Sequence, residues 1–163
     1  MNILVRDACK NDSSDLTKVA FEAKKYWNYP EEYIERWKHE LTITDSYINS
    51  NIVRISETET EIVGFYSIVH TLVDQMFGEV FVEKGYWLDH MFILPEYHKK
   101  GIGSLFIEEI KELIPKKYKQ NELNIFVDPN AEGFYVKMGA KFVRTSKSSI
   151  PDRTIPIYCF KFN

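Results

Sequence analysis

The apolar and polar positions of the chain change rhythm several times, and each change marks an element. Asn2 to Arg6 is short and apolar enough for a first strand, and Ser13, Ser14 and Asp15 follow with side chains suited to capping a helix. Leu16, Val19, Ala20, Ala23 and Tyr26 recur at steps of three and four, which gathers them on one buried helix face. Pro30, whose fixed φ suits a first turn, predicts the start of a second helix. Glu31 and Glu32 then lie near its positive end, and Tyr33, Trp37 and Leu41 form its apolar stripe. Ile52 to Ser56 and Ile62 to His70 read as paired strands around the polar connection Glu57 to Glu61. One or two more strands are expected between Glu79 and Leu94, with a turn near Lys84 and Gly85.

After Pro95 the period becomes helical. Ile102, Leu105, Phe106, Ile110, Leu113 and Ile114 form the strongest helix pattern in the chain, and Pro115 is expected to end it because proline cannot donate to the preceding turn. Leu123 to Val127 then reads as a strand, Ala131 to Met138 as a short helix, and Lys141 to Ser146 and Ile155 to Phe162 as two closing strands. No repeat, low-complexity tract or linker divides the run, so residues 1–163 are expected to form one mixed α and β domain.

Composition narrows the function. A chain of 163 residues that is 44% hydrophobic can bury a core without disulfides or metal. Its formal charge of -3 argues against nucleic-acid binding. Cys9 and Cys159 are the only cysteines, without zinc or redox spacing, and are expected to be buried, reduced thiols. His39 and His70 carry no partner pattern, and no metal site is expected. With no signal-peptide pattern and no apolar run of membrane-spanning length, a soluble cytoplasmic protein without a membrane partner is the expectation.

The chemistry concentrates where Tyr86 to Leu94 runs through Pro95, Glu96, Tyr97, His98, Lys99, Lys100, Gly101, Ile102, Gly103 and Ser104 into the strong helix. A strand, a glycine-bearing turn and a helix amino terminus together make an anion site: unpaired N–H groups face the ligand, and glycine admits it closely. Lys99 and Lys100 add positive charge. The Gly-Lys-Ser/Thr ending of a Walker loop is absent, and Phe106 occupies the place of a dinucleotide fingerprint's third glycine.

The run His98, Lys99, Lys100, Gly101, Ile102, Gly103 resembles the signature of the GNAT superfamily of N-acetyltransferases, in which Gln or Arg is more usual at the position of His98. Downstream, Val127, Asp128, Pro129, Asn130, Ala131, Glu132, Gly133, Phe134, Tyr135 to Ala140 resembles the later motif of that family. The resemblance covers nearly the whole chain. It implies an α/β (α+β) GNAT acyl-CoA N-acyltransferase fold, with a mixed central sheet of about six to seven strands flanked by about four helices. It also implies acetyl-CoA as co-substrate, bound by His98 to Ser104 with Asn130, Phe134 and Lys137. The strand ending at Ile93 is expected to splay from Leu123 to Val127, so that Met91, Phe92 and Ile93 offer backbone groups to pantetheine.

Transfer to an amine requires a group to protonate the leaving thiolate. The resemblance implies that Tyr135 sits near the coenzyme sulfur, and a phenol of pKa roughly 10 carries a proton at neutral pH that it can donate. Transfer also requires a route for the amine's proton, for which Asp89 or His90 is suited by type. Strand alternation puts these two on opposite faces, so at most one should face the acceptor. The acceptor is expected to be a primary amine of a small molecule or peptide, with Trp27, Tyr29 and Arg153 as candidate contacts. Arg153 could grip a carboxylate bidentately. A homodimer is usual in the family. The competing expectation is a non-catalytic acyl-CoA-binding regulatory module on the same fold.

Overall fold

The computed structural model describes residues 1–163. Nine strands and five α-helices follow in chain order: β1 (Leu4–Asp7), α1 (Ser13–Lys25), α2 (Glu31–Leu41), α3 (Asp45–Ser50), β2 (Ile52–Glu57), β3 (Ile62–Thr71), β4 (Gln75–Phe77), β5 (Val80–Val82), β6 (Gly85–Ile93), α4 (Ile102–Tyr118), β7 (Glu122–Phe126), α5 (Glu132–Lys137), β8 (Lys141–Lys147) and β9 (Thr154–Lys161). Seven strands form a mixed sheet in the order β1-β2-β3-β6-β7-β9-β8, and β4 and β5 form a separate hairpin. The chain folds as two compact units: Met1–Ile68 with His90–Gly103, and Val69–Asp89 with Ser104–Asn163.

In the first unit β1 pairs antiparallel with β2, and β2 with β3. Leu16, Val19, Ala20 and Ala23 are the buried face of α1, as their spacing predicts. Burying a side chain the size of Leu16 or Val19 stabilises by about 1.5–3 kcal/mol. The capping expectation at Ser13 to Asp15 needs correction. Asp12 is the residue before α1, and it makes no side-chain cap. Its carboxylate instead accepts from the Cys9 amide at 2.8 Å and from Arg6 Nη1 at 2.8 Å, while Arg6 Nε donates to Glu57 at 2.9 Å. Hydrogen bonding to Arg6 holds the Asp12 carboxyl below its usual range. At Gly64 on β3, a Cβ would lie 3.0 Å from the Phe92 carbonyl and 3.2 Å from Ile93 Cγ1, so glycine lets β3 lie close to the end of β6.

In the second unit β7 pairs antiparallel with β9, and β9 with β8. The parallel register of β6 with β7 is Trp87 opposite Asn124. Pro115 does not end α4, which runs on to Tyr118 with the proline inside it. Proline removes one N–H four residues beyond Lys111, but Ile110 and Ile114 are fully buried and anchor the turn across that gap. The helix α3 and the strand β4 lack a strong period of their own and are additions to the sequence expectation. Cys159 is buried as expected, and burial pushes its thiol pKa up; Cys9 is exposed, contrary to expectation. No helix is long and apolar enough to cross a membrane.

Candidate functional site

The glycine-bearing turn lies between β6 and α4. A short 3-10 turn, Pro95–Tyr97, leads in, and Lys99 and Gly101 adopt positive φ of 60° and 85°. A Cβ at Gly101 would meet nothing within 4 Å, so the demand for glycine there is conformational rather than steric. The left-handed step turns the chain sharply into α4, whose first N–H groups have no acceptor within the helix. Lys99 and Lys100 are exposed beside it, and Lys100 Nζ lies 4.9 Å from the centre of the Tyr97 ring.

His98 turns inward. Its Nε2 donates to the Ile93 carbonyl at 3.1 Å, its ring stacks on Trp27 at 6.4 Å, and Tyr26 meets it edge-on at 4.9 Å. Two candidate residues from distant parts of the sequence, Trp27 and His98, are thereby brought together. Tyr26, which its spacing assigns to the buried face of α1, instead follows the end of that helix, is 48% exposed and is the third member. Tyr29 turns instead to Tyr33 and Trp37.

On β6, Asp89 is exposed and His90 is buried, which agrees with the alternation expected of a strand. Within the first unit, His90 Nε2 lies 2.8 Å from the Glu40 carbonyl, an acceptor only, so this nitrogen carries hydrogen. In the neutral ring Nδ1 then accepts, and Ser67 Oγ lies 2.8 Å and Tyr47 Oη 3.2 Å away. Both nitrogens are engaged, and Phe65 and Phe92 pack against the ring at 5.9 and 5.7 Å. Met91, Phe92 and Ile93 are half-buried.

In the second unit Asp128 Oδ1 accepts from the Asn130 amide at 2.9 Å and from its side-chain Nδ2 at 3.2 Å, closing the 3-10 turn Pro129–Ala131 that leads into α5. Phe134 is half-buried and Lys137 exposed. Tyr135 is 6% exposed and packs edge-on against Phe134 at 5.2 Å and Phe160 at 6.4 Å. Burial, reinforced by the negative Asp128, pushes its phenol well above the usual value, because both disfavour the phenolate. Ser104 Oγ donates to Met138 Sδ at 3.7 Å. Arg153 lies in the β8–β9 connection, where its amide donates to Ile150 at 3.2 Å and its carbonyl accepts from Ser148 at 3.0 Å.

A seven-stranded mixed sheet and a left-handed glycine turn at the start of a helix match the architecture expected of an acyl-CoA N-acyltransferase fold. The sequence profile of the Acetyltransferase (GNAT) domain matches residues 28–152, and the chain belongs to this family of acetyl-CoA-dependent N-acetyltransferases. It is 27% identical over 161 residues to a spermidine N(1)-acetyltransferase of Thermoplasma acidophilum, covering 91% of this chain and 94% of that one. Its fold is similar to the PaiA N-acetyltransferase of the same organism in complex with coenzyme A. That likeness has a TM-score of 0.76 and 23% identity, and covers 99% of this chain and all of the other. It is also similar to a GCN5-related N-acetyltransferase from Rhodopseudomonas palustris, with a TM-score of 0.75 and 16% identity over 99% and 97% of the two chains. The conformation at Gly101, the exposed lysines and the open N–H groups of α4 fit a coenzyme pyrophosphate.

Proposed function

We propose that this chain moves the acetyl group of acetyl-CoA to a primary amine of a small molecule by direct attack, with Tyr135 as the general acid. The reading rests chiefly on the turn from His98 to Ser104, in a chain of this family. Its backbone N–H groups and Lys99 and Lys100 would hold the pyrophosphate, with Asn130, Phe134 and Lys137 as further coenzyme contacts. Met91, Phe92 and Ile93 would pair with pantetheine. Residues 1–163 are taken to act as one domain, which the family match supports because it spans segments of both units.

In the transfer a bond forms between the amine nitrogen and the thioester carbon, and the carbon–sulfur bond breaks. The thiolate takes the Tyr135 proton. Burial keeps the phenol protonated at neutral pH and at the same time makes it a weaker acid toward the thiolate, so the role rests on the resemblance of the Asn130 to Ala140 segment to the family motif. The proton lost by the amine goes to Asp89, directly or through water, which its exposure favours over His90. Trp27, Tyr29 and Arg153 are the candidate acceptor contacts. Polyamines are the first acceptors to assay, because the Thermoplasma relative is a spermidine acetyltransferase.

The test is thiol release from acetyl-CoA across a panel of primary amines, peptides and polyamines included. Release that depends on a primary amine is the expected result. Coenzyme binding without acceptor-dependent release would instead favour a regulatory module.

A further inference from the structure

His98, Lys99 and Lys100 follow one another at the start of the glycine turn, yet they take different directions. Lys99 and Lys100 are exposed, whereas His98 is half-buried and folded back on the strand before it. The short turn Pro95–Tyr97 makes this possible. The Tyr97 amide donates to the Leu94 carbonyl at 2.9 Å and the His98 amide to the Pro95 carbonyl at 3.1 Å, which returns position 98 to the side of position 93.

The backbone groups at the end of β6 are sorted by side. The Leu94 amide donates to the Val63 carbonyl of β3 at 2.8 Å. In a trans peptide N–H and C=O point opposite ways, so the Ile93 carbonyl, which shares its peptide with that amide, points away from β3. The Phe92 carbonyl has the opposite sense, 3.0 Å from where a Cβ on Gly64 of β3 would stand. The outward Ile93 carbonyl belongs to the segment expected to pair with pantetheine, and it accepts from His98 Nε2 at 3.1 Å.

We infer that His98 is a positioning residue for the pantetheine arm: its imidazole sets the direction of the Ile93 carbonyl, and the pyrophosphate is left to the backbone of the turn and the lysines. The inference rests on the proposed pairing of Met91 to Ile93 with pantetheine and adds a residue to it. A carbonyl oxygen has two acceptor sites, so one N–H from His98 leaves a second for an amide N–H of pantetheine. A carbonyl already fixed has little freedom to lose when the ligand arrives, which is how preorganised groups raise affinity. The imidazole is itself held, by Trp27 stacked at 6.4 Å and Tyr26 edge-on at 4.9 Å, both just past the end of α1.

The test separates the two arms of the coenzyme. Kd is measured by calorimetry for CoA, and by displacement of CoA for 3′-phospho-ADP, which keeps the pyrophosphate and lacks pantetheine. His98→Ala weakens CoA about tenfold, the worth of about one hydrogen bond, and 3′-phospho-ADP by less than about twofold. His98→Gln, whose side-chain amide reaches as far as Nε2, recovers most of the CoA affinity; His98→Asn, one methylene shorter, does not. Equal losses for the two ligands put the side chain on the phosphates and overturn the inference. An unchanged CoA Kd in His98→Ala, or equal rescue by Asn and Gln, also overturns it.

A second measurement needs no ligand. The ¹³C resonance of the Ile93 carbonyl moves upfield in His98→Ala as the hydrogen bond is lost; an unmoved resonance overturns the positioning role. Wild type that binds no CoA overturns the proposed function and this inference together, whereas CoA binding with equal losses for the two ligands overturns this inference alone.

Discussion

His90 and Tyr135 are both buried, at 8% and 6% exposure, and both are residue types that move protons in enzymes. Their surroundings differ. His90 is bonded at both nitrogens, to Ser67 and Tyr47 on one side and the Glu40 carbonyl on the other, so its ring ties β6 to β3, α3 and the end of α2. Tyr135 is surrounded by Phe134 and Phe160, with Asp128 acting on it as a charge, and its phenol is held in the protonated form. Burial by itself therefore does not assign a role. The partners decide whether a group is a strut or a proton reserve.

The largest effect expected from this contrast is at Tyr135. Tyr135→Phe keeps the ring packing and removes the proton, so kcat should fall about 10²- to 10⁴-fold while the coenzyme Kd stays near wild type. An unchanged kcat would break the comparison. Because the folded phenol pKa is raised, Tyr135 stays protonated through pH 10, and kcat should show no alkaline fall from it below that pH.

At His90 the loss should appear in stability instead. His90→Ala leaves the hydroxyls of Ser67 and Tyr47 and the Glu40 carbonyl without the ring, costing about 1–3 kcal/mol in a denaturant melt. The kcat of the folded protein should change by less than about tenfold. A drop as large as that of Tyr135→Phe, with the melt unchanged, would make His90 a catalytic base.

Asp12 supplies the smallest effect and a third kind of buried group, one kept charged by Arg6. Its folded pKa is depressed, so its stabilisation is fully present above an unfolded pKa of about 3.9 and is lost as pH falls through the lower folded value. Melting temperature should therefore drop below about pH 4, and Asp12→Asn should flatten that drop. With Arg6 35% exposed, the contribution at neutral pH is about 1 kcal/mol or less. An equally steep acid limb in Asp12→Asn would remove the assignment.

The frame was legible where one face of an element is buried. The spacing of Ile102, Phe106, Ile110 and Ile114 identifies α4 because those side chains are buried, and the alternation through Asp89 and His90 places them on opposite faces of β6. Glycines 101 and 103 marked the turn by composition alone. What could not be read depends on partners far along the chain. Ser67 and Glu40 lie 23 and 50 residues from His90, and nothing near position 90 announces them. Pro115 misled because its local rule is correct; tertiary packing of Ile110 and Ile114 overrides it.

The inward turn of His98 has an optical consequence. Of the three tryptophans, Trp37 and Trp87 are 5% and 3% exposed, whereas Trp27 is 40% exposed and stacked on the imidazole that begins the glycine turn. Its indole emission can therefore be selected from the other two by excitation at the red edge or by a water-soluble quencher. The chain carries its own dye beside the turn, able to register a change there without a label.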